Sequence, residues 1–98
     1  MTGTWKITVH TYMGDMRSTL QCEVKDGVLT GTVTDDGNGA TVPIMNASFD
    51  GKGFAYELTI KTPVGEMTNH LTGELLGDTL KGTSVNAMGS FDFDAVRA

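Results

Sequence analysis

Hydrophobic and polar residues alternate along most of the chain, which is the pattern of half-buried β-strands. The first stretch shows it clearly, because Trp5, Ile7 and Val9 share one face and polar residues occupy the positions between them. No window keeps a 3.6-residue period long enough to predict a helix. Eight strands are predicted, at about residues 4–11, 16–24, 28–34, 54–62, 67–75, 79–85 and 90–96, with the fourth starting near residue 40.

The fourth predicted strand departs from the regular alternation. Pro43 has no backbone N–H to donate, which predicts an edge, a bulge or a weakly paired stretch. From Met45 to Phe49 the alternation slips by one residue, which also indicates a bulge.

The chain repeats itself at an offset of 51 residues. Residues 7–32 align without a gap on residues 58–83, and nine of the 26 pairs are identical. The repeats, at about residues 3–49 and 54–98, predict two equivalent halves that need each other to bury their apolar faces. Identical pairs include Gly14/Gly65, Met16/Met67, Leu20/Leu71 and Gly31/Gly82.

These patterns together predict an all-β fold in a single domain of residues 1–98. We expect an eight-stranded antiparallel up-and-down barrel built from two four-strand repeats. Closure into a barrel removes the exposed edges of a sheet. Eight strands enclose an interior that side chains fill or that holds one small ligand.

Composition and charge narrow the functional classes. Hydrophobic residues are 39% and charged residues 19%, as in globular proteins, and no apolar run approaches the roughly 18 residues of a membrane span. The net charge is −5 and the seven Lys and Arg are scattered, so we expect no nucleic-acid partner. Cys22 is the single cysteine and the first strand starts at once, so we expect no secretory signal and a cytoplasmic location.

Two short segments resemble the avidin–streptavidin family. Residues 2–5, Thr-Gly-Thr-Trp, match the G-x-W opening that lipocalins share, and residues 26–32 match the D-G-x-L-T-G-T hairpin. The resemblance implies a calycin-type eight-stranded barrel with Trp5 plugging its closed end. The differences argue against biotin as the ligand. Residues 6–9 stand where the avidin family has polar biotin-binding residues, and a single tryptophan cannot enclose the biotin rings as the several tryptophans of that family do. The whole pattern also resembles compact bacterial barrel domains.

Strand direction sorts the turns of the predicted barrel into two ends. The turns after the first, third, fifth and seventh strands form one end, while Trp5 and Tyr56 belong to the other and are expected to plug it. The first end is rich in methionine, whose flexible side chain suits an apolar partner or fills a tapering core. The expected ligand-binding residues are Tyr12, Met13, Met16, Ser18, Met67, Asn69, Ser84, Met88 and Phe91.

This arrangement predicts that the barrel binds a small apolar or aromatic molecule in its lumen, entered at the Met-rich end, without a cofactor or metal. Ser18 and Asn69 are equivalent in the two repeats, so they could face each other across the lumen. They either orient the ligand or bond to each other, to a bulge backbone or to buried water. A cofactor-free isomerase, cyclase, lyase or hydrolase is the alternative. Tyr56 and Asn69 would then polarise the substrate, and Glu66 or Asp15 would move a proton.

The second alternative is a protein-interaction module, in which the Thr-rich outer face pairs with a partner chain. Formation of a homodimer through that face would favour this alternative. His10 and His70 fall on the outward face by the alternation, so we expect no shared metal site. A slip of one residue would turn each histidine inward and make it a general base. Cys22 points inward beside Leu20 and Val24, and we expect it to be a core residue rather than a reactive thiol.

Overall fold

The structure is a computed structural model, which describes residues 1–12, 14–62 and 65–98. The described residues form nine strands in one sheet, and every pair of neighbouring strands is antiparallel. The strands are β1 (Gly3–Thr11), β2 (Gly14–Lys25), β3 (Val28–Asp35), β4 (Thr41–Pro43), β5 (Met45–Phe49), β6 (Gly53–Thr62), β7 (Gly65–Leu76), β8 (Thr79–Asn86) and β9 (Gly89–Arg97).

The sheet curls into a nearly closed barrel, as its strand order shows. The order is β4-β3-β2-β1-β9-β8-β7-β6-β5, so the first long strand pairs with the last. β4 and β5 lie at opposite ends of this order but are separated in the chain by Ile44 alone. One short segment therefore belongs to both edges of the sheet, and the Ile44 N–H donates to the Gly31 carbonyl oxygen at 3.0 Å.

The predicted count of eight strands is wrong, because the fourth predicted strand is two strands. Pro43 ends β4, and Asn46 in β5 has a φ of 50°, which an extended strand does not tolerate. The register between β5 and β6 shifts between Met45 and Ser48, so the bulge predicted from the slipped alternation is confirmed.

The inward face of the sheet forms the core, as the alternation predicted. Trp5, Tyr56, Leu20 and Leu80 are fully buried. The buried apolar side chains are Trp5, Ile7, Leu20, Cys22, Leu29, Val33, Phe54, Tyr56, Leu58, Leu71, Leu80, Phe93 and Ala95.

Two glycines make room for two aromatic rings in this core. Gly73 and Gly82 are cross-strand partners on β7 and β8, with Phe54 opposite the first and Phe93 opposite the second. The ring centroids of Phe54 and Phe93 are 6.1 Å apart. Phe54, Gly73, Gly82 and Phe93 therefore form one row across β6, β7, β8 and β9. The two rings occupy the space that side chains at the two glycine positions would need.

The N-terminus and Trp5 close one end of the barrel. The Trp5 indole Nε1–H donates to the Met1 carbonyl oxygen at 2.9 Å, and the Cys22 thiol donates to the same oxygen at 3.2 Å. The guanidinium of Arg97 lies 4.3 Å from the centroid of the Trp5 ring, a cation–π contact. We call this the closed end; the other end, at the turns after β1, β3, β6 and β8, is called the mouth.

Candidate functional site

The mouth is the candidate site because inward-facing apolar side chains become exposed there. On β2, Leu20 is buried while Met16, on the same face, is 57% exposed. On β6, Leu58 is buried while Ile60, two residues nearer the mouth, is 40% exposed. The core is thus sealed at the closed end but leaves apolar surface open to solvent at the mouth.

Two turns bring further apolar groups to the mouth. Tyr12 is 71% exposed, and its ring lies 5.9 Å from the ring of Phe91 on β9 at an interplanar angle of 40°. Met88, between β8 and β9, is 60% exposed, and Met67 on β7 is half-buried. The structure therefore groups most of the predicted ligand-binding residues around one opening, while Met13 lies outside the described residues.

Polar groups lie beneath the apolar rim of the mouth. Asn69 and Ser84 are buried and Ser18 is half-buried. The Asn86 side-chain amide donates to Asn69 Oδ1 at 2.7 Å, so Asn69 has a partner on the neighbouring strand, which was not among the predicted alternatives. This pair could have been predicted from the sequence. A tight hairpin at Gly77 aligns β7 with β8, and this register places residue 69 opposite residue 86.

Tyr56 lies deep in the core, below the mouth. Its ring stacks on Phe54 with centroids 6.1 Å apart, and burial raises the pKa of its hydroxyl well above the usual range. That hydroxyl has no hydrogen-bond partner among the described residues. A buried, unpaired hydroxyl reduces the stability of the fold and is shielded from any substrate held at the rim.

Replacing Tyr56 by phenylalanine is expected to stabilise the protein by about 1 kcal/mol, because the substitution removes a buried polar group that is unpaired. Urea unfolding followed by circular dichroism measures the change. Tyr12→Phe, which removes an exposed hydroxyl, is the matched control and should change stability by less than about 0.5 kcal/mol. Destabilisation of the Tyr56 variant would show that its hydroxyl is hydrogen-bonded in solution.

The structure does not gather the predicted catalytic carboxylates. Asp15 lies on β2 and Glu66 on β7, and β1, β9 and β8 stand between these strands in the sheet. Asp15 faces outward, where it accepts a hydrogen bond from His10. Proton transfer by a carboxylate pair at the mouth is therefore not supported by their positions.

Both histidines lie on the outer wall, as the alternation predicted. His10 bridges two carboxylates, with Nδ1 3.1 Å from Asp15 and Nε2 2.8 Å from Asp94. Carboxylates only accept hydrogen bonds, so both ring nitrogens must carry a proton to satisfy them. His70 Nδ1 lies 2.9 Å from a carboxylate oxygen of Glu57 on the neighbouring strand.

The two carboxylates raise the pKa of His10, with the bond to Asp94 contributing most and that to Asp15 next. A raised folded pKa means that the bridge stabilises the fold below the ordinary value of 6.5 and loses this contribution as pH rises through the folded pKa. NMR titration of the His10 ring should give a pKa above 6.5, which Asp94→Asn lowers. Asp26→Asn, an equal charge change at the closed end, should leave it unchanged; an unshifted value in the parent protein would contradict the bridge.

Outside the mouth, the described residues form two shallow grooves on the outer wall. One, of about 440 Å³, follows β2 and β3 around Cys22 and Gly31, and the other, of about 480 Å³, follows β7 and β8 around Gly73 and Gly82. Both grooves follow neighbouring strands on the wall of the barrel, and none of their lining residues belongs to the mouth.

Residues 1–12, 14–62 and 65–98 contain no group of three or more histidine, cysteine or carboxylate side chains placed to hold a metal ion. Cys22 is a free, buried cysteine, as predicted, and burial raises the pKa of its thiol. Across the same ranges, no helix has the length and apolar character needed to span a bilayer.

Comparison with known proteins supports the fold. No protein-family model matches the chain, and no curated protein is similar to it at a significant level. Among solved structures it is similar to a redesigned β-barrel, with a TM-score of 0.70 and 13% sequence identity. The alignment covers 99% of this chain and 90% of that one. Sequence identity this low carries the barrel architecture and no statement about function.

Proposed function

We propose that the protein binds a small apolar or aromatic molecule at the Met-rich mouth of its barrel. The burial gradient along β2 and β6 carries the proposal, because Met16 and Ile60 face inward and yet stay largely exposed. Covering such side chains with a ligand is favourable by roughly 25 cal/mol per Å² of apolar surface removed from water. Methionine adapts to ligands of different shape, which suits this role.

The ligand would sit high in the barrel rather than deep in the lumen. Leu20, Tyr56 and Leu71 are buried and fill the space below the rim. Asn69 and Ser84 are buried polar groups below the rim, and they would meet the polar part of a ligand. Among the described residues, no observation favours the enzyme alternative, since Tyr56 is buried in the core and Asp15 lies on the outer wall.

The internal repeat supports a mouth built from two equivalent halves. β2 and β7 are both 12 residues long and β3 and β8 are both eight, in agreement with the offset of 51. Met16 and Met67 are equivalent, and each half would supply one of them to the rim. A barrel sealed by Trp5 and open at the other end also supports the resemblance to the lipocalin and avidin barrels.

Binding is tested by NMR of protein labelled at the methionine methyl groups, with 1-octanol as a neutral apolar probe. We expect the Met16, Met67 and Met88 signals to shift with a common saturation curve. Met45 is the internal control, because it is 39% exposed but pairs with the outward-facing Glu57 on the wall of the barrel. Absence of a shift at the rim, or an equal shift at Met45, would contradict the proposal.

A pair of substitutions locates the site. Ile60→Thr should weaken octanol binding roughly fivefold, because it removes apolar contact area at the rim. Val85→Thr is the matched control, since Val85 is similarly exposed but faces outward on β8. Equal affinities of the two variants would place the binding surface elsewhere.

A further inference from the structure

We propose that the mouth selects cationic amphiphiles, in which an alkyl or aryl tail carries an amine or a quaternary ammonium group. The inference rests on the proposed function, because it assigns a charge preference to the same apolar site. The exposed apolar rim supplies the contact surface, and the charges around it decide which head group is favoured.

The two ends of the barrel differ in charge. The described turn residues at the mouth, 12, 14–15, 35–39, 65–66 and 86–89, contain four carboxylates and no lysine or arginine. The turn segments at the closed end, residues 25–27, 46–53 and 77–78, contain three carboxylates and two lysines, and Arg97 adds an ion pair with Asp78 there. Among the turns, the net negative charge is therefore concentrated at the mouth.

Carboxylates also stand beside the apolar rim residues in the chain. Asp15 precedes Met16, Glu66 precedes Met67 and Asp92 follows Phe91. Neighbouring residues of a strand point to opposite faces, so these carboxylates lie on the outer face around the apolar rim. The same face also carries Arg17, which follows Met16, and Lys61, which follows Ile60. A head group at the rim would lie within about 10 Å of these charges, the distance over which they act at 0.1 M salt.

Basic groups near the mouth offset this charge only in part. His10 is shared between Asp15 and Asp94, so even the protonated ring leaves one negative charge in that group. Lys61 is the register partner of Glu66, and Lys6 approaches Asp36 at 3.8 Å on the wall. Arg17 also lies near the mouth, where its carbonyl oxygen accepts a hydrogen bond from the Asp36 N–H. The carboxylates there still outnumber the basic groups, so the mouth keeps a net negative charge: they are Asp15, Asp35, Asp36, Glu66, Asp92 and Asp94, against Lys6, Arg17, Lys61 and a protonated His10.

The test compares three probes with the same octyl chain, each below its micelle concentration: octyltrimethylammonium, 1-octanol and octyl sulfate. At low salt we expect the cation to bind about fivefold tighter than octanol and the anion about fivefold weaker, as followed at the rim methionine methyl groups. Addition of 0.5 M salt should reduce both differences to less than about twofold, because salt screens exposed charges.

Two matched variants show whether the local charges cause the preference. Glu66→Gln should lower the preference for the cation, whereas Glu74→Gln should not, because Glu74 lies on the same strand but toward the closed end. Equal effects of the two variants would attribute the preference to overall charge and overturn the inference.

The remaining outcomes separate this inference from the proposed function. Equal binding of all three probes at the rim would overturn the charge preference and leave the apolar site in place. Tighter binding of octyl sulfate would overturn it in the same way. Absence of rim shifts with every probe would overturn the proposed function and the inference with it.

Discussion

Replacing Trp5 by alanine is expected to destabilise the barrel by about 4 kcal/mol, which is a large share of the roughly 5–15 kcal/mol that holds a domain of this kind folded. The Trp5 side chain is fully buried at the closed end, and its indole N–H is bonded to the Met1 carbonyl oxygen. Truncation leaves a cavity, removes one of the two hydrogen bonds to the Met1 carbonyl oxygen and leaves the Arg97 side chain without its ring contact. Urea unfolding monitored by circular dichroism measures the loss, since the variant has no tryptophan fluorescence.

Two controls separate the plug from a general loss of apolar surface. Trp5→Phe keeps most of the ring volume and should cost clearly less than the alanine substitution. Val28→Ala removes an exposed apolar side chain near the same end and should change stability by less than about 0.5 kcal/mol. A loss below about 1 kcal/mol for Trp5→Ala would mean that Trp5 does not seal the core.

Replacing Gly82 by alanine is expected to destabilise the protein by roughly 3 kcal/mol, because there is no space for a methyl group between β7 and β8. The added Cβ would clash with the Thr72 carbonyl oxygen. It would also lie 2.6 Å from the Gly73 Cα and 2.9 Å from the Phe93 ring. Two of these three neighbours are backbone atoms that cannot move without breaking the ladder. Thermal unfolding by calorimetry gives the change in stability.

Gly53→Ala is the matched control for Gly82→Ala. A Cβ at Gly53 would meet its nearest neighbours, the Asp50 carboxylate oxygens, at 3.6 Å, which is ordinary contact. We expect a change of less than about 0.5 kcal/mol for Gly53→Ala. Similar losses in the two variants would contradict the close approach of β7 and β8 at Gly82.

The alternation of residue types predicted most of the strands, since burial of one face is a local property of the sequence. Trp5, Leu20, Leu58 and Phe93 are inward as expected, and both histidines are outward. The strand count was wrong because the division at Ile44 depends on which neighbour each half pairs with. That choice is made by β3 and β6, which lie on either side in space, so it is not visible in residues 40–49 themselves.

The candidate site was harder to predict than the fold. The mouth follows from strand direction and the positions of methionine and tyrosine, and the structure brings those residues together. The partners of its polar groups depend on side-chain geometry across strands, so Asn69 bonds to Asn86 and Asp15 to His10. Ser18 is equivalent to Asn69 in the repeat, and Asp15 is equivalent to Glu66. Equivalent residues lie on distant strands of the barrel, β2 and β7, so their equivalence does not bring their side chains into contact.

The pairing of β1 with β9 has a consequence for how the chain folds. The other long ladders join strands that follow each other in the chain, so short turns close them. The ladder of β1 with β9 aligns Trp5 with Arg97 and must close almost the whole polypeptide as a loop. Since the entropy lost on closing a loop grows with its length, this ladder bears the largest closure cost in the sheet. The ends of this ladder meet where the Ala98 N–H donates to the Thr4 carbonyl oxygen, so a short link between the two ends would make its contacts local and is expected to speed folding.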